Sequence, residues 1–154
     1  MKRWVWFVAA VVAVAALEGA SSDSDVADLD PVQVVYMDVE GRQVLVETDQ
    51  GARGTGETLE SALEDMERTW ASEVFLETAE FLVVSEEAQG RVGELWKVLR
   101  PSCEVCVGVG ELELERVAEH LHRHKPGVTL MEYQAGERQL PRLVAQEGRM
   151  ELVP

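Results

Sequence analysis

A chain of 154 residues holds one domain, or one domain with an appendage. Its 14 basic and 29 acidic side chains leave a formal charge of -15. That surface repels phosphate backbones and anionic headgroups, which argues against nucleic-acid binding and against direct adhesion to acidic lipid.

The basic pair Lys2 and Arg3 opens the chain, and the unbroken apolar run Trp4 to Leu17 follows. Fourteen residues make a helix of about 21 Å at 1.5 Å per residue. A comfortable membrane span needs roughly 20 apolar residues. Residues 1–20 therefore read as a signal peptide or, if uncleaved, an N-terminal membrane anchor. The positive end stays inside, so residues 21–154 are expected outside the cytoplasm. Without Lys2, Arg3 and Glu18 that exported part keeps 12 of the 14 basic and 28 of the 29 acidic groups, a net of -16.

Residues 21–31 are small, polar and acidic, the composition of a linker. A hairpin is expected next, Val32 to Met37 and Gln43 to Glu47, turning at Gly41. "QGARGTGE" after it reads as a mobile loop, and it lacks the lysine of a phosphate-cradling loop. Leu59, Ala62, Leu63, Met66 and Trp70 then recur at steps of three and four, one stripe of an amphipathic helix with Thr58 as its cap. An i,i+4 pair of Glu64 and Arg68 is expected on its wet side.

"EFLVV", Glu80 to Val84, is a short apolar run and predicts a buried strand. Ser85 caps a second helix with Ala88, Val92, Leu95, Trp96 and Leu99 as its stripe, weakened by Gly90 and Gly93 and ended by Pro101. In "CEVCVGVG" valines alternate with Cys106, Gly108 and Gly110, as a strand requires. A third helix packs through Leu114, Val117, Ala118 and Leu121, and "VTLMEYQ" offers a further strand. Residues 136–154 show little periodicity and read as a tail or an edge strand. The fold expected over residues 32–135 is α/β in the α+β sense: a mixed sheet of about four strands covered by three helices, with parallel strands where a helix joins them.

Chemistry-bearing groups are few. His120, His122 and His124 lie on the third helix, and His120 and His124, four apart, could share a metal on one face. The same residues suit a helix C-terminus, where the dipole favours cations, and that reading is preferred. Cys103 and Cys106 have the spacing of a redox pair, but they enter a strand and not the helix start that lowers a thiol pKa. Buried or free thiols are expected in place of a disulfide. Ser85 follows a strand as a nucleophile would, yet its neighbours make a helix cap. No catalytic residue, cofactor or metal ligand is assigned, and the expected protein is not an enzyme.

The run Gly56 to Gly110 resembles the N-terminal domain of the Ger(x)C family, the C subunit of bacterial spore germinant receptors. Gly56, Thr58, Leu59, Ala62 and Leu63 match that family's first helix, and Phe75 and Leu76 the apolar pair after it. Leu82, Val83, Ser85, Glu86 and Ala88 match the strand and cap, and Val105, Val107 and Gly110 the last strand. "LPRL" from Leu140 to Leu143 is similar to the passage into that family's second domain. The resemblance implies an extracytoplasmic accessory or scaffold protein, on the outer face of the cell membrane or the spore inner membrane. Its partners would be the transmembrane A and B subunits of a germinant receptor. "LEGA" departs from the family's lipoprotein signal, because Ala20 stands where the acylated cysteine belongs. The rival expectation is a secreted metal-binding or hydrolytic protein using His120 and His124.

Overall fold

The computed structural model describes residues 31–154, so the expected signal or anchor and most of the acidic linker lie outside the described residues. Among the described residues seven strands form one mixed sheet in the order β3-β2-β1-β4-β5-β6-β7. β1 (Val34–Glu40), β2 (Gln43–Thr48) and β3 (Arg53–Gly56) run as an antiparallel meander. β4 (Phe81–Val84) pairs parallel with β1, and β5 (Glu104–Gly110) parallel with β4. β6 (Arg142–Gln146) continues the parallel centre, and β7 (Arg149–Val153) closes the sheet antiparallel to it. The α/β class holds, and β4 and β5 are the parallel neighbours expected.

Three strands, β3, β6 and β7, extend the sheet beyond the four expected. The glycine-rich stretch expected to be a mobile loop is β3. The C-terminal residues form the β6–β7 hairpin through the two-residue turn Glu147-Gly148, with φ of 51° and 75°. Positive φ at both central positions is a type I′ turn, whose twist matches that of the strands it joins. "VTLMEYQ" contributes no strand of its own. Thr129 and Glu132 build a capping box there, and Leu130–Gln134 is a short α-helix.

Both faces of the sheet are covered, which is why β4 reads as a continuous apolar run and not as an alternation. Val35, Met37, Leu82, Val84, Val105 and Val107 face one core, with α1 (Leu59–Thr69), the 3-10 helix Gln89–Lys97 and α3 (Leu130–Gln134). Val34, Phe81, Val83, Cys106 and Leu143 face the other, beneath α2 (Leu114–Arg123). Leu114, Val117, Ala118 and Leu121 all point into that second core, as their spacing predicts. Each large buried side chain contributes about 1.5–3 kcal/mol.

α1 starts where Thr58 accepts the Ser61 N–H and Ser61 returns a bond to the Thr58 N–H. Leu59, Ala62 and Met66 are buried, and Leu63 and Trp70 pack partly buried at the margin. Arg68 pairs with Asp65, one turn back at i,i+3, instead of the expected Glu64. The second expected helix is a 3-10 helix from Gln89 to Lys97. Gly90 and Gly93 disfavour the α-form, and at three residues per turn Val92 and Leu95 eclipse on the buried side. Trp96, one residue further, rotates outward and is 40% exposed, so it does not belong to the buried stripe.

Candidate functional site

In open α/β sheets ligands bind outside the carboxyl ends of the parallel strands. Here those ends present Asp38 and Glu40 at the end of β1, Ser85 and Glu86 after β4, Gly110 at the end of β5 and Gln146 at the end of β6. The Ser85 N–H donates to the Met37 carbonyl at 2.9 Å, and its hydroxyl accepts the Ala88 N–H at 3.1 Å. Those bonds, with the residue buried, tie Ser85 into the turn that precedes the 3-10 helix; the helix itself has Ala88 at its N-cap with no side-chain bond, so Ser85 is not the helix cap expected. Glu86 is paired with Arg142 of β6. Tyr36 on β1 keeps its proton, pushed up to about 12 by burial and then by Asp38, Glu87 and Glu47.

A shallow polar cavity lies between the start of α2 and the β6–β7 turn, lined in part by Glu111, Glu113, Arg116, Gln146 and Met150. Arg116 is its one cation beside Arg149 and is already committed. It donates to the Gly148 carbonyl at 2.9 Å and lies 3.6 Å from Glu113. The result ties the tip of the β6–β7 hairpin to α2.

Cys103 and Cys106 are both free and buried. Cys103 belongs to the first core and Cys106 to the second, on opposite faces of the sheet, because three residues along an extended chain reverse the side-chain direction. Burial pushes both thiols up to about 12, the reverse of an activated redox cysteine.

The three histidines part company. His122 turns toward β4, its ring edge-on to Phe81 at 5.1 Å, with Nε2 2.9 Å from Gln33 Oε1 and Nδ1 3.8 Å from Glu80. His120 and His124 meet ring to ring, centroids 4.8 Å apart and tilted by 38°. Burial, then His124 and Arg123, hold His120 below the usual imidazole range. The helix-cap reading places these side chains at the right end of α2, and the His124 N–H bonds to the His120 carbonyl. The rings themselves take the partners just named, not the end carbonyls. No group of three or more His, Cys, Asp or Glu side chains is placed to hold a metal among the described residues.

The two edges of the sheet differ. β3 has one outward-facing donor and one outward-facing acceptor occupied: the Thr55 N–H donates to Asp65 Oδ2 at 3.0 Å, and the Arg53 carbonyl accepts from the Thr69 hydroxyl at 3.3 Å. Both partners come from α1. On β7 the turn-closing pair is Gln146 and Arg149, so alternation aims the N–H and C=O of Met150 and Leu152 away from β6. Among the described residues, β7 pairs with β6 alone. Its Arg149, Glu151 and Val153 side chains are exposed. The sequence offered an edge strand within residues 136–154 as one of two readings, and β7 is that edge strand.

Comparison with protein-family profiles, with curated proteins and with solved structures finds no match. Among the described residues no helix is long and apolar enough to cross a membrane.

Proposed function

We propose that this protein is a non-catalytic, extracytoplasmic module that binds a membrane-protein partner through the open β7 edge. The observation that carries the reading is a contrast between the edges: on β3 α1 takes the outward Thr55 N–H and Arg53 carbonyl, and β7 presents Met150 and Leu152 backbone groups outward. An extended partner segment could add an eighth strand there, gaining main-chain hydrogen bonds and contacts with alternate side chains. The apolar run Trp4 to Leu17 supports a place at the outer face of a membrane. The resemblance of Gly56 to Gly110 to the germinant receptor C subunit supports a role in spore germination, beside A- and B-like subunits.

The test is co-purification of the intact protein from detergent-solubilised membranes of its own cells, wild type beside Met150→Pro. Proline removes the outward N–H without breaking a bond to β6. The reading expects a stoichiometric membrane partner with the wild type and its loss with the variant, circular dichroism unchanged. A free monomer from both, or a partner retained by Met150→Pro, contradicts it.

A further inference from the structure

A separate observation lies at the far end of α2. The geometry points to a two-histidine site for a borderline divalent transition cation, of the Zn²⁺, Ni²⁺ or Cu²⁺ kind, formed by His120 and His124. Residues four apart on a helix stand one above the other on one face. Here their rings lie 4.8 Å apart at centroids, tilted 38°, a separation that one ion spans once the exposed His124 ring turns a nitrogen toward His120. His120 Nε2 is buried and has no hydrogen-bond partner. An orphaned ring nitrogen is costly, and nearly every buried polar atom in a folded protein has a partner. A cation held between the rings gives that nitrogen one.

The surroundings allow the ion to enter. His124 is exposed at the helix C-cap and is free to turn its ring. A shallow cavity opens beside the pair, lined also by Lys125, Met150, Glu151 and Leu152. The Lys125 ammonium opposes a cation, and Glu151 from β7 offsets it. The overall charge of -15 raises the local concentration of cations. Imidazole nitrogen suits zinc, copper and nickel, and carboxylate-preferring magnesium and calcium do not fit. No third protein ligand is in place among the described residues, so water completes the coordination and the affinity is modest. His122 faces Gln33 and Glu80 on another bearing and takes no part.

The experiment titrates the full chain with ZnCl₂ and, separately, NiCl₂ by calorimetry. The wild type is expected to bind one ion of this class per chain at the pair. His124→Ala and His120→Gln each remove one of two protein ligands and are expected to weaken binding by about tenfold or more. His122→Ala is the control and leaves the affinity unchanged. NMR on the wild type gives a second readout that no unfolding can mimic. Ni²⁺ broadens the ring protons of His120 and His124 first and those of His122 later. Binding unchanged in His124→Ala, equal loss in His122→Ala, broadening of all three rings together, or no binding at all would each overturn the assignment.

Discussion

The two edges of this sheet solve one problem in opposite ways. β3 is four residues long, and α1 lies close enough to occupy its Thr55 N–H and Arg53 carbonyl with Asp65 and Thr69. That approach depends on glycine. A Cβ on Gly54 would stand 2.0 Å from the Ala62 carbonyl oxygen and 2.5 Å from the Met66 nitrogen, both backbone atoms of α1. β7 has side chains at every position, no helix over its outer rim, and a hairpin turn that aims two residues' backbone groups outward. The comparison teaches that exposure of a strand edge is set by the small residues beneath a neighbouring helix as much as by the strand's own sequence.

That contrast can be broken most severely at Gly54. Gly54→Ala forces α1 off β3, and urea unfolding is expected to show a loss of about 3 kcal/mol, with the Thr55 amide exposed. Glu151→Ala on the open edge is the matching control and should stay within about 0.5 kcal/mol of wild type. A Gly54→Ala protein as stable as wild type would mean that the helix does not seat on that glycine.

A smaller effect, of opposite sign, is expected at the tip of the open hairpin. Glu147 holds φ of 51°, the left-handed region that a glutamate tolerates poorly. Glu147→Asn keeps the turn type with a residue that accepts this conformation, and should raise stability by about 0.5–1 kcal/mol. Thermal unfolding reads the gain, and a loss there would contradict the type I′ turn.

The smallest effect is electrostatic. The Thr55 N–H, and after it the Arg68 guanidinium, hold the Asp65 carboxyl below its usual range. A carboxylate depressed in the folded state stabilises above its unfolded pKa, about 3.9, and that contribution fades as pH falls through the lower folded value. Asp65→Asn should therefore flatten the acid limb of the stability profile and leave the neutral and alkaline limbs parallel to wild type. An unchanged acid limb would place the seal of β3 elsewhere.

Much of the centre was legible in the sequence. The parallel pair β4 and β5, the hairpin at Gly41 and the stripes of α1 and α2 follow from periodicity, because buried side chains must repeat with the backbone. The edges were not. Arg53–Gly56 carries two glycines and no apolar pattern, since its stability comes from a helix pressed onto bare backbone. β6 and β7 mix buried Leu143 with exposed Arg142 and Gln146, so their alternation is faint. Thr129 and Glu132 did carry the threonine-x-x-glutamate signature of a capped helix, and the neighbouring Val128, Leu130 and Met131, read as a strand, masked it. For the candidate sites, spacing showed that His120 and His124 share a face, but only the fold parts His122 from them and places the two cysteines in separate cores.

Amide hydrogen exchange on the isolated chain, at a concentration low enough to hold it monomeric, tests the open edge most directly. The Thr55 amide should be protected, and those of Arg149, Glu151 and Val153 likewise, while Met150 and Leu152 exchange close to the unfolded-chain rate. Protection of Met150 and Leu152 equal to that of Thr55 would mean that β7 is already covered, and the edge proposed to receive a partner would not exist.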